Sequence, residues 1–243
     1  MILQPFSVAT VRSALHEGWQ LAQATRRISV AYALVFTIAG ALIGGALLAS
    51  GLTPFVIAAA GAFMLLGPVF LAGFHGIAAA HEARQPADMA ALLGGFRRAA
   101  PALWVLALVC ALLFMIFITD AAILYSYMIG GTPVWLSELP ANPLGVGRFL
   151  LWGGVSGLFI AFLLFAVSAF AVPLLCERRA GLVGAIVTSV RLVFANFGPA
   201  MLWALLLAVT IIASSLLLPL LPLTLPWLAY AGRALYRRAL PAD

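Results

Sequence analysis

The stretch AVPLLCERRAGLVGAIVTSVRLVFANFGPAMLW, residues 171–203, decides the fold class of this chain. It begins apolar, breaks into the charges of Glu177, Arg178 and Arg179, and becomes apolar again at Pro199. Between the charges and Pro199, apolar side chains recur every three or four residues, at Leu182, Ile186, Val190, Val193 and Phe197. This period predicts an amphipathic helix at 181–196 that connects two long apolar segments.

The composition of the whole chain requires an apolar environment. Of the 243 residues, 65% are apolar and only 8% are charged, and the mean hydropathy is +1.16. A soluble domain carries about 25% charged residues, so a large soluble fold is excluded. The net charge of +6 comes from arginines at the ends of apolar runs, which favours membrane topology over nucleic-acid binding. We therefore expect the lipid bilayer as a partner and no nucleic acid.

The length of the apolar runs sets the number of membrane crossings. The run at 28–80 has no Asp, Glu, Lys or Arg, and it is far too long for one crossing of a hydrocarbon core of roughly 30 Å. Its turn signal at 50–54 divides it into two spans. The last run, 199–235, could form a hairpin or a single kinked helix. Arginines flank both of its ends, which favours an even number of crossings.

The predicted fold class is all-α: a polytopic helical membrane protein with six transmembrane helices in one domain, 1–243. The predicted spans are 28–49, 54–80, 101–127, 149–176, 199–217 and 220–235, with a loop at 130–147. It stays open whether the last two are full spans or a re-entrant hairpin.

Three short amphipathic helices are predicted, at 6–22, 87–98 and 181–196, each followed by two apolar spans. This order suggests a threefold internal repeat. For the helix at 6–22 two placements are open. It could lie in the membrane interface with Trp19 at the boundary, or dock on the protein's own loops.

The arginines predict the orientation in the membrane. Under the six-span topology, 12 of the 13 arginines lie on one side and only Arg148 lies on the other. Both termini are therefore expected on the cytoplasmic side of a bacterial inner membrane. The first apolar run is longer than the core of a signal peptide, which is roughly 7–15 residues, so we expect it to be an uncleaved anchor.

The only charged candidate within a predicted span is Asp120, with Thr119 beside it. A carboxylate within a membrane is costly and is therefore a candidate functional group. One interpretation is an interfacial residue that orients the helix, and the other is a polar intramembrane site for a proton or cation. No other predicted span offers a second carboxylate.

The arginine pairs are a second set of candidates, since they lie where anionic lipid head groups would be. The predicted head-group contacts are Arg26, Arg27, Arg97, Arg98, Arg178, Arg179, Arg237 and Arg238. As ordinary topology signals these pairs need no specific ligand.

The sequence predicts no catalytic, metal or cofactor site. His75 and His81 are six residues apart and do not share a helix face, and the chain has no Cys/His cluster with metal-ligand spacing. Cys110 and Cys176 lie in separate segments, so a structural disulfide is not expected.

Two stretches, LLGPVFLAGFHGIAAAHE at 65–82 and FAVSAFAVPLLCERRAGLVGAIVTSVRLVFANFGPAMLW at 165–203, resemble a bacterial family of integral membrane proteins. The family is catalogued as domain of unknown function 2189. The resemblance covers most of the chain after Arg12, and it implies a six-span inner-membrane protein without an assigned activity. Its most specific parts are 172–175, 185–191 with Asn196, and Gly198-Pro199 followed by Trp203.

The chain departs from the family pattern at the end of the last span. Where that pattern reads Gly-His-x-x-Trp-His-x-Tyr-Arg, residues 229–237 read AYAGRALYR. Tyr236 and Arg237 match and both histidines are absent, so a metal or charge-relay function that depended on those histidines is not expected here.

The function expected from these features is that of a non-enzymatic accessory, assembly or scaffold subunit. It would act through helix–helix contacts in a larger membrane complex or a homo-oligomer, because small-residue packing faces are abundant and catalytic groups are scarce. The alternative is a transporter or channel for a small or lipidic solute, with Asp120 as its buried charge.

Overall fold

The computed structural model describes residues 4–53, 55–56, 59, 67–130, 135 and 143–241, and the regular segments within them are helical. The helices are α1 (Val8–Ala24), α2 (Arg26–Ala49), α3 (Gly67–Glu82), α4 (Met89–Arg98), α5 (Ala102–Ile129), α6 (Pro143–Ser168), α7 (Ala171–Cys176), α8 (Leu182–Ala195), α9 (Phe197–Leu216) and α10 (Leu221–Ala239). A short 3₁₀ helix, Leu218–Leu220, lies between the last two. The all-α fold class is confirmed.

Helices occupy all three segments that the sequence predicts to be amphipathic, as α1, α4 and α8. Side-chain caps fix where two of them begin. Asp88 accepts the backbone N–H of Ala91 at 2.9 Å at the start of α4, and Ser7 accepts the N–H of Thr10 at the start of α1.

Four helical segments in the described ranges are long and apolar enough to cross a membrane. They are Arg26–Ala49, Ala102–Ile129, Pro143–Cys176 and Phe197–Leu216. Of the other two predicted spans, 54–80 is described without a gap only from Gly67 onward, where α3 begins, and its first part lies largely outside the described residues. The span at 220–235 corresponds to α10, which carries three arginines. The structure therefore supports several crossings and leaves the six-span count as a prediction.

The predicted span at 149–176 is broken near Phe170 into α6 and α7. Pro173 has no N–H, and its ring crowds the carbonyl four residues before it. The hydroxyl of Ser189, from α8, accepts the N–H of Phe170 at 3.2 Å and donates to the carbonyl of Ala166 at 2.8 Å. These two backbone groups would bond each other in an unbroken helix. Ser189 thus replaces the lost helix bond.

The predicted loop at 130–147 is shorter than expected. α5 ends at Ile129 and is capped by Gly130, whose φ of 88° lies in the left-handed region that favours glycine. α6 already begins at Pro143, so Arg148 lies on a helix. Residues 131–134 and 136–142 lie outside the described part.

The final apolar run is a hairpin and not a single kinked helix. Near the 3₁₀ turn, the hydroxyl of Thr224 donates to Ser214 Oγ at 2.9 Å. Farther from the turn, a Cβ on Gly232 would lie 3.7 Å from the indole of Trp203. Contacts at both places require α10 to run back along α9.

The N-terminal helix α1 packs along α10 in the opposite direction. The backbone N–H of Gln4 donates to the carbonyl of Ala239 at 3.1 Å, and Trp19 packs edge-on against Trp227 at 5.8 Å. The backbones come so close that a Cβ on Gly18 would overlap the partner helix. The buried side of α1 is therefore turned toward α10, and the membrane-interface placement of α1 stays a prediction.

Each short amphipathic helix packs against the end of an apolar segment, which for α4 and α8 is the preceding one. α4 packs on α3, α8 packs on α6 and α7, and α1 packs on α10. The α3–α4 contact is very close, since a Cβ on Gly95 would lie 2.1 Å from the carbonyl oxygen of Ala72. As a result, the ends of α3, α7 and α10 meet on one face of the molecule.

Candidate functional site

A cavity of about 620 Å³ opens where α3, α7 and α10 end. We call it the arginine cavity, because five arginines line it. Its lining residues are His75, Gly76, Ala79, Gly95, Arg97, Arg98, Cys176, Glu177, Arg178, Arg233 and Arg237. A volume of this size is in the range of small-molecule sites, which are roughly 300–1,000 Å³.

Two left-handed turns place charged residues around this cavity. α3 ends in a turn in which the N–H of Gln85 donates to the carbonyl of Ala80, with Arg84 at φ 55°. α7 ends in the same way, with Arg178 at φ 54°. Glycine is the usual residue at this position because it has no Cβ. Arginine at both turns keeps a long cationic side chain where glycine would be easier to accommodate.

The most buried charge in the described residues belongs to Arg233, which is 5% exposed. Its guanidinium binds both carboxylate oxygens of Glu82, with Nη2–Oε2 at 3.0 Å, and Nη2 lies 3.8 Å from Glu177. Arg237 joins the same carboxylates, at 2.9 Å from Glu82 and 3.5 Å from Glu177. The ends of three helices are therefore tied together by one ion-pair network.

The network changes the acid–base properties of its members. Burial raises the pKa of Glu82, but the hydrogen bonds and charges of Arg233 and Arg237 outweigh it and hold that pKa below its usual value. Burial and the charge of Glu177 raise the pKa of Tyr236 to about 12. The Tyr236 hydroxyl therefore stays protonated, and it donates a hydrogen bond to Glu177 Oε2 at 3.0 Å.

Two nitrogen atoms of residues that line the cavity have no hydrogen-bond partner among the described residues. They are Nδ1 of His75 and Nε of Arg233. Both side chains are more than nine-tenths buried. A buried polar atom without a partner is unfavourable and calls for an explanation.

A model of the family described as predicted integral membrane protein (DUF2189) matches residues 55–177, which is more than half of the chain. The chain belongs to this family. No curated protein and no solved structure matches the chain.

The family match and the arginine cavity overlap in part. The matched region of this DUF2189 protein contains Glu82, Arg97, Arg98 and Glu177. Arg178 and the α10 residues of the cavity follow that region.

The structure divides the eight arginines predicted to contact head groups. Arg97, Arg98, Arg178 and Arg237 line the cavity. Arg178 also donates from Nε to the carbonyl of Arg98 at 2.7 Å, which fixes the turn after α7 against the end of α4.

The other four predicted arginines lie elsewhere. Arg179 binds the end of α10, donating to the carbonyls of Leu240 and Pro241 at 2.7 Å. Arg238 pairs with Glu17 of α1. Arg26 and Arg27 are exposed at the start of α2.

The side chains of Thr119 and Asp120 do not bond each other, and their role as a polar intramembrane site stays a prediction. The hydroxyl of Thr119 is exposed and donates to the carbonyl of Met115 on the same helix, at 2.8 Å. Asp120 is half-buried, and its Oδ2 has no hydrogen-bond partner in the described part of the chain. Asp120 lies 18 residues into α5, so it is about 27 Å along that helix from the end near Arg98.

Sequence reasoning missed His75, Glu82, Glu177 and Arg233 as site residues. The signal for Arg233 was present, because it lies three residues from both Tyr230 and Tyr236 and shares their helix face. All three are buried. An arginine on the apolar stripe of a terminal helix, with a carboxylate ending each of two other apolar segments, predicts a buried ion-pair network.

Proposed function

We propose that the protein is a non-enzymatic inner-membrane protein that binds an anionic ligand in the arginine cavity. The observation that carries this proposal is the charge around the cavity. Glu82 and Glu177 pair with Arg233 and Arg237, whereas no described carboxylate lies within ion-pair distance of Arg97, Arg98 or Arg178. Three guanidiniums are left for a ligand.

The chemistry of guanidinium groups supports an anion as that ligand. Arginine presents a planar set of donors that matches carboxylate and phosphate oxygens, often two bonds at a time. Like charges brought together without counterions repel each other, and an anion between them removes that cost. Beside the charged residues, the small residues Gly76, Ala79 and Gly95 form part of the wall.

In the proposed topology this cavity opens on the cytoplasmic side of the membrane. The amphipathic helices α1, α4 and α8 and the turns after α3 and α7 carry most of the arginines, and such sides face the cytoplasm. With α3 and α10 counted as crossings, the chain spans the membrane six times. The packing of α4 on α3, α8 on α7 and α1 on α10 supports a threefold repeat closed into a ring.

Anion binding is tested by thermal unfolding of the purified protein in a non-ionic detergent. Phosphate or pyrophosphate is compared with chloride at equal ionic strength. At ten times Kd a ligand stabilises by about 1.4 kcal/mol, which corresponds to roughly 3–6 °C in Tm for a chain of this size. We expect this shift in the unmodified protein.

Two double variants separate the cavity from general charge. Arg97→Gln with Arg98→Gln should abolish the anion-dependent shift. Arg26→Gln with Arg27→Gln removes the same charge at an exposed position outside the cavity and should retain it. Loss of the shift in both variants, or its absence from the unmodified protein, would contradict the proposal.

The accessory role and the transporter alternative stay predictions. An accessory role is favoured by Gly153 and Gly154 on α6, which have open space around them in the described structure and adjoin the exposed Trp152. Such a face would allow a helix of another protein to approach closely.

A further inference from the structure

We propose that the anionic group bound in the arginine cavity is a phosphomonoester. This inference rests on the proposed anion-binding function and specifies its ligand class. The three guanidiniums without a carboxylate partner provide more donors and more positive charge than a singly charged group would use.

The charge favours a phosphomonoester over a carboxylate or a phosphodiester. A phosphomonoester carries about −1.5 to −2 charge at pH 7 and three terminal acceptor oxygens. A carboxylate has a single charge and two oxygens, and a phosphodiester has a single charge. Three guanidiniums without a carboxylate partner therefore suit the charge and the three acceptor oxygens of a phosphomonoester better than those of a singly charged group.

The volume favours an organic phosphate over the free ion. The cavity measures about 620 Å³, and one water molecule occupies about 30 Å³ in the liquid. A phosphate group alone fills only a small part of that space. The remainder accommodates the alcohol to which the phosphate is esterified.

The surface beside the cavity favours a lipid as the source. α4 supplies Arg97 and Arg98 to the cavity and exposes Met89 and Leu93, which are 57% and 47% exposed. Trp104, at the start of α5, is 53% exposed. Apolar residues and tryptophan beside arginines are typical of a membrane interface, so a lipid with a phosphomonoester head group could reach the site from the bilayer.

The test compares two anionic lipids at mole fractions chosen so that the bilayers carry equal surface charge. The protein is placed in phosphatidylcholine nanodiscs that contain phosphatidic acid, a phosphomonoester, or phosphatidylglycerol, a phosphodiester. Binding is measured as the lipid-dependent shift in Tm. We expect a larger shift with phosphatidic acid. An equal shift with both lipids would overturn the assignment of the ligand as a phosphomonoester. If the protein still responded to pyrophosphate, the proposed anion-binding function would stand.

A second arm distinguishes the lipid from a soluble ligand. sn-Glycerol 3-phosphate is added to the protein in detergent without added lipid. A shift with phosphatidic acid alone supports a lipid ligand, and an equal shift with glycerol phosphate supports a soluble phosphomonoester. If neither phosphatidic acid nor glycerol phosphate shifts the Tm, the inference is overturned.

A matched pair of turn variants identifies the site. Arg178→Gly and Arg84→Gly place glycine at equivalent left-handed turns, so both relieve the same backbone strain. Only Arg178 lines the cavity. Since a hydrogen bond to a charged group is substantial, Arg178→Gly should weaken phosphatidic acid binding by roughly tenfold or more. Arg84→Gly should leave it unchanged, and equal affinity in the two variants would contradict the assignment.

Discussion

At the scale of single residues, the fold depends on a buried charge. Burying a guanidinium is tolerated only when it is paired and hydrogen-bonded. Arg233 meets this condition with Glu82 and Glu177, which end two other helices. Because the partners come from separate helices, the pairing holds those helix ends together.

We predict that Glu82→Gln lowers the Tm and weakens its acid dependence. The pKa of Glu82 is lowered in the fold from 4.5, so its ionised form stabilises the native state above that pH. This stability is lost as the pH falls through the lowered pKa. The Glu82 side chain is 39% exposed, and screening limits the effect to about 1 kcal/mol or roughly 2–4 °C at neutral pH.

The measurement is Tm as a function of pH in detergent, from neutral pH to about pH 3. The native protein should lose more stability on acidification than the Glu82→Gln variant. Glu17→Gln is the control, because its pair with Arg238 is exposed on both sides. Parallel Tm curves for the native protein and Glu82→Gln would show that Glu82 does not contribute to the acid sensitivity.

At the scale of helices, small residues decide the closest contact. Ala72 and Gly76 of α3 face Ala91 and Gly95 of α4, so that each helix presents two small residues four apart. This spacing lets backbones approach closely in membrane proteins. The close approach places α4 and its arginines over the end of α3.

We predict that Gly95→Ala destabilises the protein whereas Gly94→Ala does not. The added Cβ at Gly95 would lie 2.1 Å from the Ala72 carbonyl oxygen, which forces the helices apart. The cost should be roughly 3 kcal/mol, as for an overpacked core. At Gly94 the Cβ meets only the flexible end of Arg98, at 3.1 Å. Thermal unfolding of both variants checks the difference, and equal Tm values would refute it.

The positions of the short helices were largely predictable from the sequence, whereas their partners were not. The apolar period and caps such as Asp88 give α4 and its start. Periodicity shows which face of a helix is apolar but not which helix that face packs against, so the docking of α1 on α10 through Gly18 was missed. The break near Phe170 was also missed, because the hydroxyl that stabilises it belongs to Ser189, on a different helix.

The candidate site, too, was predictable from the sequence only where one segment contained the whole signal. Asp120 was singled out because a lone charge within an apolar run is visible in one segment. The network of Glu82, Glu177 and Arg233 was not, since each charge stands at the end of its own segment and looks like a topology signal. Only the packing of α3, α7 and α10 brings these charges to one place.

At the scale of the whole molecule, the short helices pack on apolar segments that are both near to them and distant from them in the chain. α1 is the first helix of the chain and packs on α10, the last. In the proposed threefold repeat, the contact of α1 with α10 joins the first unit to the third. The same arrangement brings both ends of the described chain together, since Gln4 bonds Ala239.

The six-span topology predicts which positions an impermeant reagent can reach from outside intact cells. Single cysteines are introduced at Ala83, Tyr127 and Leu217 in a background with Cys110→Ala and Cys176→Ala. Ala83 is exposed on the arginine side, whereas Tyr127 is 88% exposed and Leu217 is 59% exposed at the opposite ends of their helices.

We expect an impermeant maleimide to label Tyr127→Cys and Leu217→Cys in intact cells, and Ala83→Cys only after the membrane is opened. The reason is that an arginine-rich side is retained in the cytoplasm and each helix pair returns the chain to that side. Leu217 discriminates between a full hairpin and a re-entrant one, because a re-entrant turn would remain in the hydrocarbon core and react from neither side. Labelling of Ala83→Cys from outside would show that the topology is the reverse of the predicted one. The arginine cavity would then lie on the outer side of the membrane, where a cytoplasmic ligand could not reach it.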